Sequence, residues 1–275
     1  MKKDFVFICH TCKRDEALLP FHFSAIRRVC PDSEVRYIVD ESDVDMNLPH
    51  GSKRICSNYE RNGNLRGMSA LCGVVFQLTT AAAETDCIPV KIDSDIILRG
   101  VEWLTPLQTG AADMVGVSPR VLYCASGACY GVAPELLPRI AEFITARIYW
   151  DLQNDRIEDE TLSMIAAIVS DPCRVVIRQN YHPDMPAPLS CIFRSDHFSK
   201  REQLEAVEGF IDCGDSAFVS DYCRHGFDAV AVKRRAMAQA LALPRVDVAH
   251  DGTDSTPLPP PGGQGISFDP GERSR

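Results

Sequence analysis

Positive charge is in short supply in this chain: 29 Lys and Arg stand against 38 Asp and Glu, a formal net charge of −9. A field of that sign disfavours nonspecific binding to nucleic acid or to anionic membranes, so an anionic substrate would need a local cation to hold it. Long hydrophobic runs are missing as well. The longest apolar stretch, residues 70–83, is interrupted by Gln77 and two threonines. It falls short of the roughly 18 consecutive apolar residues that mark a membrane-spanning helix. A secretory leader is not expected, because the apolar run 5–9 is too brief and no small-residue cleavage site follows it. Cysteine, by contrast, is plentiful, with 12 residues. Without a secretory signal these read as buried thiols in a reducing compartment, not as a disulfide framework, and a cytoplasmic location is expected. Cys72 and Cys129 sit within apolar segments, as packing thiols would. The 275 residues are 45% hydrophobic, which excludes a chain disordered throughout and suffices for one large domain or two small ones.

Phe5-Val6-Phe7-Ile8-Cys9 is a continuous apolar run, the pattern of a strand buried on both faces. Residues 15–29 read as a helix with Pro20 in a first turn or at a kink, and residues 34–39 as a second strand ending at Asp40. Residues 67–84 carry the strongest helical periodicity, and residues 88–92 form a third strand ending at Asp93. Strand, helix, strand, helix, strand predicts an α/β domain with a parallel sheet and ligands at the carboxyl ends of its strands. Further strands are expected at 114–117, 129–132 and 175–177, and helices at 134–149, 159–169 and twice within 199–243. From Asp251 onward, five prolines and five glycines in 25 residues predict a disordered tail, leaving residues 1–250 as a single catalytic domain.

The most informative stretch is Val90-Lys91-Ile92-Asp93-Ser94-Asp95-Ile96-Ile97-Leu98. Two carboxylates one residue apart point to the same side of an extended chain. Apolar neighbours on both sides exclude a solvated acidic loop. Carboxylates brought together repel, and a hard divalent cation, Mg²⁺ or Mn²⁺, relieves the repulsion while sharing its remaining positions with phosphate oxygens. The structural alternative is that each aspartate caps the element that follows it.

Strand-end Cys9-His10-Thr11, strand-end Asp40 and the long helix preceding Lys91-Ile92-Asp93-Ser94-Asp95 together resemble the glycosyltransferases of the GT-A fold. The resemblance spans about residues 5–197 and lies in the order of elements and in the Asp-x-Asp motif. It implies a Rossmann-like α/β fold whose mainly parallel central sheet is flanked by helices. It also implies a nucleoside-diphosphate sugar donor, a UDP-sugar above all, and an acceptor hydroxyl on a glycan, a lipid-linked molecule or a protein. Asp93 and Asp95 would bind the divalent metal that bridges the donor diphosphate. His10 and Thr11 would contact the nucleoside, Asp40 the base or ribose, and Asp93 and Ser94 the donor. Arg66 would sit near the diphosphate at the start of the long helix, where a helix N-terminus favours an anion; otherwise it is a surface arginine. Gly127-Ala128-Cys129-Tyr130-Gly131 corresponds to the stretch beneath the donor sugar, with Gly131 allowing close approach, although two glycines also suit a tight turn. Glu158 and Asp159 resemble the acidic pair that opens a helix in inverting members, with Asp159 the preferred general base and Glu158 the second choice. Acids also suit any helix start through the helix dipole. In a retaining enzyme both carboxylates would instead hold the sugar. His197 with Lys200 fits a late metal ligand beside a diphosphate-binding lysine, although the family's glycine spacing is missing; His182 is the weaker alternative.

Cys9-His10-Thr11-Cys12 admits a redox reading, but its position in so long a chain does not match a thioredoxin unit, and no second Cys-x-x-Cys completes a zinc site. A nucleotidyltransferase would place a glycine-rich loop where His10-Thr11-Cys12-Lys13-Arg14 stands, and a HAD-type phosphatase would follow Asp-x-Asp with Gly-Thr, where Ile96-Ile97 stands. A non-catalytic nucleotide-sugar or glycan-binding protein on the same scaffold is the remaining alternative. The composition argues against nucleic acid as a partner; lacking a basic amphipathic helix argues only weakly against peripheral membrane contact.

Overall fold

A computed structural model describes residues 4–57, 67–94, 96–98, 100–118, 125, 129–147, 158–179 and 192–194. Strand β1 (Phe5–Thr11) is buried along its whole length, as its unbroken apolar run requires. A 3-10 segment (Lys13–Leu18) leads into helix α1 (Leu19–Val29), and Pro20 lies in its first turn, where a missing N–H costs nothing. The continuous helix expected over 15–29 is therefore 3-10 in its first part. Strand β2 (Glu34–Asp40), edge strand β3 (Lys53–Ser57), helix α2 (Gly67–Thr85) and strand β4 (Ile88–Ile92) follow. Next come the short β5 (Ile96–Leu98), helix α3 (Thr105–Gln108), β6 (Met114–Ser118) and β7 (Cys129–Val132). Helices α4 (Leu137–Arg147) and α5 (Glu158–Val169) and strands β8 (Val175–Gln179) and β9 (Ile192–Arg194) complete the described elements.

Seven strands form one sheet in the order β3-β2-β1-β4-β7-β6-β8. β1, β2, β3 and β4 run parallel, as do β6 and β8, whereas β7 is antiparallel to both of its neighbours. The architecture is thus a mixed α/β fold with a mostly parallel central sheet flanked by helices. β5 and β9 form a separate antiparallel pair.

Alternation along β1 divides the core into two layers. Phe5, Phe7 and Cys9 join Leu19 and Ile26 of α1, together with Trp103 and Leu104, on one face. Val6 and Ile8 join Leu71, Val74 and Leu78 of α2, Ile140 of α4 and Leu162 of α5 on the other. This alternation follows from the two-residue period of a strand, and it explains why β1 tolerates no polar residue before His10.

β1 is flanked by β2 on one side and β4 on the other, so the chain's direction of winding reverses between β1 and β4. In sheets of this kind the carboxyl ends of the strands at such a reversal are the usual ligand position. Every cysteine among the described residues is a thiol; Cys9 and Cys129 are buried and Cys72 is half-buried, in keeping with a packing role. No helix among the described residues is long and apolar enough to cross a membrane. The helices expected within 199–243 and the tail from Asp251 lie outside the described residues.

Candidate active site

The carboxyl end of β4 carries Lys91 and Asp93. Within the five buried residues of β4, Lys91 is the single charged side chain, and it is only 2% exposed. Burying an unpaired ammonium costs several kcal/mol, so such a lysine demands counter-charge. Two carboxylates provide it. Lys91 Nζ donates to Asp93 Oδ1 at 2.8 Å and lies 3.4 Å from Glu158 Oε1 at the start of α5. Burial works against the ammonium, but Asp93 and Glu158 outweigh it and hold the Lys91 pKa above its ordinary value.

Glu158 points inward and is 2% exposed. Tyr130 on β7 donates its hydroxyl to Glu158 Oε1 at 3.3 Å, and the Lys91 ammonium stands 5.7 Å from the centre of the Tyr130 ring. Burial pushes the Glu158 carboxyl upward and Lys91 pulls it partly back. Burial, reinforced by the nearby Glu158 and Asp159 charges, drives the Tyr130 phenol well above its ordinary value, so it stays a proton donor. Asp159 is also buried, and its Oδ1 accepts the Glu160 backbone N–H at 2.7 Å, the bond that suits a carboxylate in a first helical turn. Ser163, one turn on, accepts the Ala125 N–H at 2.9 Å and donates to the Asp159 carbonyl at 2.7 Å. That pair of bonds ties Ala125 to α5.

Towards the segment that follows β1, Ser94 is buried and donates to Asp15 Oδ2 at 2.7 Å. Asp15 also receives the Cys12 thiol at 3.7 Å, so one carboxylate gathers the segment after β1 onto the turn after β4. His10 and Thr11 are buried at the end of β1, and the Thr11 hydroxyl has no hydrogen-bond partner among the described residues. Asp40 closes β2 by capping the 3-10 turn 41–43. Its Oδ1 accepts from the Ser42 N–H at 2.8 Å and the Ser42 hydroxyl at 2.6 Å, which lowers its pKa. A Cβ on Gly131 would meet Leu107 Cδ1 at 2.7 Å and Leu104 Cδ2 at 3.0 Å, so the close approach this glycine permits is to core leucines.

Of the residues singled out by sequence, Asp93, Glu158 and Asp159 are thus brought to one place, with Lys91 between the first two. His10, Thr11 and Asp40 stand at the ends of the adjoining strands β1 and β2. Asp95, Arg66, His182, His197 and Lys200 lie outside the described residues. Among the described residues no group of three metal-binding side chains occurs. Asp93 has donor chemistry that fits a metal: its side chain is 27% exposed, one oxygen is fixed by Lys91, and carboxylate oxygen is the ligand a hard divalent cation takes. Sequence reasoning missed Lys91, Tyr130 and Asp15. The signal for Lys91 was present, since a lysine between Val90 and Ile92 in a buried strand must be paired. Nothing local marked Asp15 or Tyr130, whose partners lie far away in sequence.

No family model matches the chain, and no curated protein matches it. Among solved structures it is similar to galactosyltransferase LgtC in complex with donor and acceptor sugar analogues. That likeness has a TM-score of 0.43 at 14% identity over 80% of this chain and 99% of that one. An active-site mutant of LgtC is similar at a TM-score of 0.41 and 15% identity, over 74% of this chain and 95% of that one. The glycosyltransferase GlyE of Streptococcus pneumoniae TIGR4 is similar at a TM-score of 0.46 and 10% identity, over 89% of this chain and 66% of that one. Likenesses this distant say nothing of substrate or of residue roles.

Proposed function

We propose that this protein is a metal-dependent glycosyltransferase that moves a sugar from a nucleoside-diphosphate donor, a UDP-sugar in the first instance, to an acceptor hydroxyl. The observation that carries this reading is the meeting of Asp93 with the carboxylates of α5 at the carboxyl end of β4, bridged by Lys91. An acidic motif at a strand end together with a second carboxylate pair suits a reaction that needs both an anchored diphosphate and a proton acceptor.

In this reading His10, Thr11, Asp40 and Ser94 contact the nucleoside side of the donor, and Arg66 and Lys200 offset diphosphate charge. Asp93, Asp95 and His197 would hold Mn²⁺ or Mg²⁺. When bound, the cation supplies charge that stabilises the departing diphosphate. In an inverting transfer Asp159 takes the proton of the acceptor hydroxyl as the new bond from its oxygen to the anomeric carbon forms. The bond from that carbon to the diphosphate oxygen breaks with its electron pair going to the leaving group. Glu158, turned to Lys91 and Tyr130, holds the start of α5 in place.

A thermal-shift screen of nucleotide-sugars with and without Mn²⁺, followed by calorimetry with UDP, tests the reading. Wild type should bind UDP in a manganese-dependent manner, and Asp95→Ala should abolish that binding while leaving the fold intact. Unchanged UDP binding in Asp95→Ala, or binding indifferent to metal, overturns the assignment.

A further inference from the structure

We propose that Lys91 is a positioning residue that aims the Asp93 carboxylate outward at the carboxyl end of β4, braced from behind by Glu158 and Tyr130. This rests on the nucleotide-sugar reading above and assigns a task to a side chain that the reading does not use.

The argument begins from what a buried lysine needs. A single carboxylate would neutralise Lys91, and Glu158, equally buried, stands close enough at 3.4 Å to do so alone. Yet the shorter contact, 2.8 Å, runs outward to Asp93, a side chain open enough to be solvated without help. Core neutralisation does not require that second contact; orientation of Asp93 does. The stem of Lys91 is clamped within β4, its head stands over the Tyr130 ring, and Tyr130 in turn donates to Glu158. The result is a relay from phenol to carboxylate to ammonium to carboxylate, running from the core to the part-exposed Asp93 at the carboxyl end of β4. Fixing a carboxylate by packing behind it is how a rigid scaffold presets a binding geometry, because the rotamer freedom is lost on folding and not on ligand binding.

The test separates neutralising Glu158 from aiming Asp93. Lys91→Met leaves Glu158 buried without its cation, so both melting temperature and affinity for UDP in the presence of Mn²⁺ should fall, the latter about tenfold. Replacing a buried ion pair by apolar residues of similar size tends to restore stability. Lys91→Met combined with Glu158→Met should therefore regain the melting temperature while UDP affinity stays about tenfold down. A double variant that binds UDP like wild type overturns the proposal, because Lys91 would then serve only to neutralise Glu158. A wild type that binds no UDP at any manganese concentration overturns the nucleotide reading itself, and this inference with it; the two failures are told apart by the wild-type titration. A measurement on the unaltered protein guards against variants that do not fold. The ¹⁵N signal of the Lys91 ammonium should shift on addition of UDP with Mg²⁺, and a signal unmoved at saturating UDP overturns the proposal.

Discussion

Ser94 Oγ donates to Asp15 Oδ2 at 2.7 Å, joining the turn after β4 to the segment after β1 across 79 residues of sequence. The segments that follow β1 and β4 are thus linked by side chains at the carboxyl end of the sheet. Ser94→Ala removes the donor and leaves a largely sheltered carboxylate short of a partner. Loss of such a bond costs about 1 kcal/mol. Urea unfolding should show a destabilisation of that order, and calorimetry should show weaker UDP binding because the turn bearing Asp93 is no longer held.

Asp159 and Glu158 are neighbours with different surroundings, and variants should tell them apart. Asp159→Asn is expected to lower turnover by about 10²- to 10⁴-fold, the usual contribution of a general base, with UDP affinity kept within about threefold. Steady-state kinetics alongside calorimetry checks the split. Equal loss of binding and turnover would place Asp159 in donor binding, as a retaining enzyme would use it.

Gly116 on β6 has no room for a side chain. An added Cβ would lie 2.3 Å from Ala125 Cβ and 3.2 Å from its Cα, and the second contact is with backbone. Gly116→Ala should therefore destabilise by about 1–3 kcal/mol, the range of overpacked core substitutions. Gly131→Ala, which crowds the flexible ends of two leucines and touches Val90 Cγ2 at an ordinary 3.5 Å, should cost less. Paired thermal melts of the two variants decide the order.

Asp113 Oδ1 accepts from Arg174 at 2.6 Å, and its other oxygen accepts from Ser170. The Arg174 hydrogen bond, helped by Ser170, holds the Asp113 carboxyl below its ordinary value of 3.8. A depressed carboxyl pKa means that the unfolded chain binds the proton more readily. The stabilisation is therefore present above pH 3.8 and is lost as pH falls through the folded-state value. Asp113→Asn should lower stability at pH 7 by about 1 kcal/mol. The gap between variant and wild-type melting temperatures should shrink as the pH is taken below the ordinary carboxylate range.

Much of the fold was legible because its signals are local. The apolar run of β1, the periodicity of α2, Pro20 in the first turn of α1 and the acids that open α5 each reflect neighbours within a few residues. β3, with Lys53, Arg54 and Ser57 in five residues, escaped notice because an edge strand is stabilised by pairing and needs no apolar run. β5 and β9 were missed because each is three residues long and acquires its identity only from the other. The reversed direction of β7 has no local signature at all, since an apolar strand reads alike in either orientation.

For the site the division is similar. Sequence alone determined that carboxylates stand at the end of β4 and at the start of α5, because strand ends and helix starts are set by short-range hydrogen bonding and side-chain period. Only the tertiary structure decided that Lys91 joins the two and that Asp15 closes on Ser94. Contacts between residues so far apart in the chain form where sheet order brings them together, and a buried charge takes whichever partners that order supplies.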